Sequence, residues 1–217
     1  MFRYESACLA TALNGVEHME PVPKDFSDKF AKSLTMFFRW FADTFFAKRY
    51  GNRAVVLETV AGVPGMVAGM WIHLKSLRKM QTGYGPKIRT LLEEAENERM
   101  HLMIFLEIAK PSTMERLLVL FAQLVFWHFY FILYVFFPKT AHRMVGYFEN
   151  QAVISYTEYL NEIDSGRIEN IAAPKIAIDY YKLQPDAKLR DVVIAVRNDE
   201  QGHADVNHDI ADNPILN

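Results

Sequence analysis

The sequence predicts an all-α protein organised around a four-helix bundle, and three observations predict it. Long segments carry apolar residues at three- and four-residue intervals, while strand-like alternation is scarce. Glycine and proline, 10 and 9 among 217 residues, punctuate the chain sparsely. A Glu-x-x-His step occurs twice, at Glu98–His101 and Glu200–His203, and each follows a lone glutamate, Glu58 and Glu149. Residues three apart share one face of a helix, so each step offers a carboxylate and an imidazole to one metal ion. Two such steps and two inward glutamates are the donor set of a ferritin-like di-iron carboxylate bundle.

The elements follow in order. With 51% apolar residues the chain can bury one substantial core, so residues 1–25 read as an N-terminal arm and 26–217 as a single domain. Helices are expected at Ser27–Phe46, Asn52–Met80, Gly85–Ala109, Ser112–Phe137, Thr140–Ser165 and Asp186–Asp209. Pro64 and Gly65 lie inside the second, where a kink is expected. Pro111 and Pro138 follow the third and fourth, each disfavouring a helical residue before it. Ser112 is a good N-cap, with Glu115 three residues on completing a capping box. Gly166 and Pro174 close the fifth helix; Pro185 and Asp186 open the last.

Two segments are unusually apolar. Leu117–Phe137 holds only Gln123 and His128 as strongly polar side chains, enough length to cross a bilayer. A single crossing would put the third and fifth helices on opposite sides of the membrane, and Glu98, His101 and Glu149 would not meet. A segment lying in the interfacial plane avoids that conflict, its ends marked by Lys110, Arg116, Lys139 and Arg143. The first helix is similar, setting Phe37, Phe38, Trp40, Phe41, Phe45 and Phe46 against Lys29, Lys32, Arg39, Lys48 and Arg49. Together they read as a monotopic anchor in membrane lipid; a buried core helix and a true span are the alternatives.

Composition excludes other classes. A formal charge of −2 gives no basic field for nucleic acid. One cysteine, Cys8, rules out an internal disulfide framework and a cysteine-based metal site, and fits a reducing compartment. Residues 1–25 carry Glu5, Glu17, Glu20 and Asp25, unlike an organelle transit peptide, which leans toward a bacterial cytoplasmic membrane. A mature form with its presequence removed would look the same.

Chance alone yields roughly half an E-x-x-H match in this composition, so context decides. Leu91, Leu92, Ala95, Met103 and Leu106 surround the first step; Val192, Val193, Ala195 and Val196 precede the second. Glu58 lies among Val55, Val56, Leu57, Val60 and Ala61, where an ionised carboxylate is costly unless paired or bound to metal. Four carboxylates and two imidazoles suit two iron ions better than zinc. The bland alternative is solvated glutamates with satisfied histidines.

The wording around these residues resembles the alternative oxidases, membrane-bound quinol oxidases with a non-haem di-iron centre. Leu57-Glu58-Thr59-Val60 with Val63-Pro64-Gly65-Met66, Asn97-Glu98-Arg99-Met100-His101-Leu102, His142-Arg143-Met144-Val145-Gly146-Tyr147 leading into Glu149, and Arg197-Asn198-Asp199-Glu200 through His203 carry the likeness, over Ser27 to Asp212. The resemblance implies iron ligands at Glu58, Glu98, His101, Glu149, Glu200 and His203. It also implies a quinol pocket lined by Arg39, Asp43, Arg53, Leu57 and Ser155, and a redox-active tyrosine at Tyr156. From the residues alone, Arg39 and Asp43 can equally be a helix pair, and Tyr156 a core tyrosine.

There are departures. The family reads Leu-Glu-Glu-Glu-Ala where this chain has Phe148-Glu149-Asn150-Gln151-Ala152, so Gln151 puts a neutral amide where the family has a carboxylate near the quinol. Ser155 replaces a threonine. Asn52 stands at the cysteine of plant members, so regulation of that thiol by 2-oxo acids is not expected.

The implied activity is cyanide-insensitive oxidation of ubiquinol coupled to four-electron reduction of O2 to water. No chain of ionisable groups crosses a membrane, so no proton pumping is expected. A homodimer with one site per chain is expected. A plastoquinol oxidase, a quinone-ring hydroxylase and a ferritin-like iron-binding protein without turnover are rival readings, and the matrix side of the mitochondrial inner membrane is the alternative location.

Overall fold

The computed structural model describes residues 20–46 and 49–213. Cys8, Lys48 and most of the expected N-terminal arm lie outside them. Among the described residues seven helices follow one another: α1 (Phe26–Phe46), α2 (Tyr50–Lys79), α3 (Gly85–Ile108), α4 (Thr113–Phe136), α5 (Pro138–Asp164), α6 (Lys175–Tyr181) and α7 (Leu189–Asp212). The described residues hold no strand beyond a single antiparallel bridge, Ala172 to Lys188. The all-α expectation holds, and five of the six expected helices match within two residues of their ends.

The sixth differs. Residues 186–188 are not helical; Lys188 is the N-cap and α7 continues to Asp212. Pro174 closes nothing: it caps α6, a two-turn helix the sequence reading missed. Seven residues are too few to display an apolar period, and α6 is fixed by Ala177 dropping into the core and by tertiary contact with α3.

Local chemistry sets the boundaries. Ser112 accepts from the Glu115 backbone and the Glu115 carboxylate accepts from the Ser112 N–H, the expected capping box. Glu115 also receives Asn52 Nδ2 at 3.1 Å and Arg49 Nη1 at 3.3 Å, which rivets the start of α4 to the start of α2. Pro138 sits in the first turn of α5, where its missing N–H costs nothing. The helix α2 runs unbroken through Pro64.

Helices α2, α3, α5 and α7 form the bundle, with α2 packed on α3 and α5 on α7; α1 lies against α5, and α4 against α2 and α5. The α2–α3 approach is close because α2 turns glycine toward its partner: a Cβ on Gly65 would come within 2.4 Å of the Leu91 carbonyl oxygen. One core cluster runs through Val63, Val67, Leu91, Phe126, Tyr130 and Met144, and another through Ile104, Phe105, Tyr156, Val192 and Val196. The metal-type residues lie between them.

Among the described residues two helices are long and apolar enough to cross a bilayer, but they differ in exposure: 61% of the most apolar window of α2 is buried, against 17% for α4. So α2 is a core helix. The exposed apolar residues of α4 (Leu117, Leu120, Phe121, Leu124) and of α1 (Phe37, Trp40, Phe41, Phe45) clothe the outer side of the bundle. Gln123 is turned inward to the Thr59 carbonyl at 2.7 Å, and His128 bonds back to its own helix at Leu124. Arg143, expected at the edge of the apolar segment, is instead buried: it donates to Asp28 at 2.9 Å, to Asp212 and to His208. Two carboxylates compensate its charge, which is what burial requires.

Candidate metal centre

Helical spacing brings the six sequence-predicted ligands together. Glu58 comes from α2, Glu98 and His101 from α3, Glu149 from α5, and Glu200 and His203 from α7. They form two overlapping sets, Glu58, Glu98, His101 and Glu200 in one, Glu98, Glu149, Glu200 and His203 in the other. Within each set, ligand atoms lie no more than 4.8 Å from one another. Glu98 and Glu200 belong to both, the position of bridging carboxylates; one terminal glutamate and one histidine complete each half.

The imidazole Nδ1 atoms face the carboxylates. His101 Nδ1 lies 3.1 Å from Glu200 and 3.5 Å from both Glu58 and Glu98. His203 Nδ1 lies 2.7 Å from Glu98. Both oxygens of Glu98 and of Glu200, Glu58 Oε2 and both Nδ1 atoms are buried without a hydrogen-bond partner. Buried polar atoms left this way are costly, and here all of them converge on one volume. Two divalent cations fit that arrangement.

Electrostatics agree. Burial pushes Glu58 and Glu149 well above the usual carboxylate range, aided by Glu98 and Glu200. Burial also works to raise Glu98, but His101 and His203 outweigh it and hold it well below. Against burial, Tyr181 and the carboxylates of Glu98, Asp199 and Glu200 lift His101. Protons thus stand in for positive charge that bound cations would supply.

Several supporting residues were not singled out from the sequence. Asp199, next to Glu200, lies 3.2 Å from His101 Nε2 and accepts from Tyr181 at 2.7 Å and Asn97 at 2.9 Å. A carboxylate there keeps the proton on Nε2 and turns Nδ1 to the cluster. Asn207 donates to both oxygens of Glu94, to the His203 carbonyl, and faces His142 Nδ1 at 2.9 Å. Burial lifts Glu94 to about 7. The available signal was helical: Glu94 is one turn before Glu98, and Asn207 one turn after His203.

Beside the cluster lies a cavity of about 400 Å³. Its inner end is Glu58, Glu98, Glu149, Glu200 and Tyr156, and its wall is apolar, from Phe38 and Ala42 of α1 to Leu118 and Phe126 of α4. Exposed Phe41, Phe121 and Val125 also line it, so its mouth opens between α1 and α4. Of the expected quinol residues, Arg39, Arg53, Leu57, Gln151 and Ser155 line it; Asp43 does not. Asp43 instead pairs with Arg39 at 2.8 Å and with Arg53, holding both in place. The helix pair read from spacing is therefore present, and it serves the cavity wall. Tyr156 lines the cavity, stacks on Phe105 and donates its hydroxyl to Glu58. Burial, then Glu58, raises its phenol well above the ordinary value, so it stays protonated.

Fold and site together have the donor arrangement of a dinuclear carboxylate metal centre within a four-helix bundle. The sequence profile of the alternative oxidase family matches residues 9–212, and the chain belongs to that family. It is 58% identical over 191 residues to a mitochondrial ubiquinol oxidase of Mangifera indica, covering 88% of this chain and 60% of that protein. A mitochondrial ubiquinol oxidase of Batrachochytrium dendrobatidis is 55% identical, with 90% and 61% covered. Ubiquinol oxidase 1c, mitochondrial, of Arabidopsis thaliana is 56% identical, with 88% and 58% covered. The chain spans about three-fifths of the length of these relatives.

Proposed function

We propose that the protein oxidises ubiquinol and passes the electrons to O2, forming water, at two iron ions held by Glu58, Glu98, His101, Glu149, Glu200 and His203. The observation that carries this reading is the continuous apolar cavity from the exposed faces of α1 and α4 to the carboxylate cluster. A ferritin-like store has no use for such a passage.

When bound, the iron pair supplies the redox chemistry of dioxygen. The residues do the rest. Leu57 and Phe126 line an apolar slot, and Arg53, whose buried Nε has no partner, offers a donor to the ring oxygen of a quinol. Arg39, Gln151 and Ser155 form the polar side of the same slot. Tyr156 lines the slot and donates its O–H to Glu58, so with the iron pair bound it would give up one electron and pass its proton to that carboxylate. Each quinol releases two electrons and two protons, so two quinols meet the four electrons and four protons that turn one O2 into two waters; this reading moves no net charge across a membrane.

The exposed aromatic faces of α1 and α4 support an interfacial position on a membrane, where a lipid-dissolved quinol would reach the mouth directly. The relatives are named mitochondrial, and nothing among them supports the bacterial membrane expected above; we assign the matrix side of a mitochondrial inner membrane. A second exposed apolar strip, Met66, Met70, Leu74 and Leu77 on α2, offers a second copy a surface for the expected homodimer. The test is oxygen uptake by purified protein with ubiquinol in the presence of cyanide, together with iron content. We expect uptake insensitive to cyanide and two irons per chain; cyanide-blocked uptake, or no iron, overturns the reading.

A further inference from the structure

The guanidinium of Arg39 fixes how Gln151 is presented. Arg39 Nη1 donates to the Gln151 backbone oxygen at 3.2 Å and to its side-chain Oε1 at 3.3 Å, while Nη2 donates to Glu158 at 3.1 Å. A guanidinium only donates, so the amide oxygen must face Arg39. The amide N–H2 group then has no partner among the described residues, and Gln151 lines the cavity. The charges around it already balance: Arg39 and Arg53 stand against Asp43 and Glu158. A carboxylate at position 151, as the family carries, would sit against Arg39, stay ionised and leave the group one negative charge in excess.

The two redox forms of the substrate differ in hydrogen bonding. A quinol hydroxyl donates and accepts, whereas a quinone carbonyl only accepts. An ionised carboxylate accepts from the hydroxyl and repels the carbonyl; an amide N–H donates to either. Arg53 Nε is a second donor free for the ligand. We propose that Gln151 makes this cavity hold the oxidised quinone about as well as the quinol, so that product competes with substrate and turnover follows the redox state of the quinone pool. The inference rests on the quinol-oxidase reading.

The test is equilibrium binding of ubiquinone-1, in its oxidised form, to the iron-loaded protein in detergent, with the KM for ubiquinol-1 measured alongside. Wild type is compared with Gln151→Glu and with Gln151→Leu, which deletes the donor without adding charge. We expect both variants to bind the quinone about tenfold more weakly, the loss of one well-made hydrogen bond. In Gln151→Glu the KM for the quinol should change much less than the quinone Kd, because the carboxylate still accepts from the hydroxyl. Equal quinone affinity in the three proteins, with wild type turning over quinol, overturns this inference alone. A wild type that neither binds quinone nor oxidises quinol overturns the function reading with it.

Discussion

Glu98 and Glu200 each belong to both halves of the cluster, whereas each of the other four candidate ligands belongs to one. Replacing Glu98 with Ala should therefore empty the whole site: iron content, measured by metal analysis, is expected to fall from two per chain to near none, and oxygen uptake with it. Tyr156 invites the opposite outcome. A phenylalanine keeps the stack on Phe105 and removes only the hydroxyl bonded to Glu58. Tyr156→Phe should keep its iron and lose at least tenfold in turnover, a factor ordinary for one proton-transfer group. The ligands were legible because a three-residue step on a helix needs no tertiary information. Asp199 was not, because its role appears only when α7 lays it beside His101 of α3. Asp43 was placed one layer too far in, since spacing shows that it pairs with Arg39 but not which side of the pair faces the cavity.

Helices α1 and α4 were recognised from composition, and their exposure distinguishes them from α2, which passes the same apolarity test inside the core. The residues at the cavity mouth are thus surface residues, and charging them should spare the fold. Phe41→Asp with Phe121→Asp is expected to reduce partitioning onto liposomes by at least tenfold in a sedimentation assay while iron content is unchanged. The packing of α2 on α3 is less forgiving. Gly65→Val places its Cβ against backbone, not against a side chain that can move, and should cost about 1–3 kcal/mol, read as a lowered Tm. What the sequence concealed at this scale was α6 and the true start of α7. Both are set by chain packing after Gly166, where the apolar period is interrupted.

For the whole molecule, pH acts through two sets of buried groups. Burial holds His142 near 3, and its imidazole is fully enclosed. Its folded value is depressed, so this contribution to stability is complete above about 6.5 and is lost as pH falls toward 3, on the order of 4 kcal/mol in all. Tm should therefore decline across that interval, and less in His142→Gln, whose amide can still face Asn207. Metal loading follows the same trend. Glu58, Glu149, His101 and His203 all hold protons more firmly than usual, and cations must displace them. The gap in Tm between iron-loaded and iron-stripped protein should widen as pH rises, as calorimetry would show.

The mouth between α1 and α4 has one more consequence. Dioxygen is itself an apolar solute, favoured in hydrocarbon over water by the same physics that buries Phe126. On the quinol-oxidase reading, a passage walled by Phe38, Leu118 and Phe126 therefore takes oxidant and reductant through one mouth and in the same solvent. Water made at its far end is the one participant that solvent rejects. Polar side chains suit its exit, and those that edge the cavity wall on α5 include Gln151, which Arg39 holds, and Ser155.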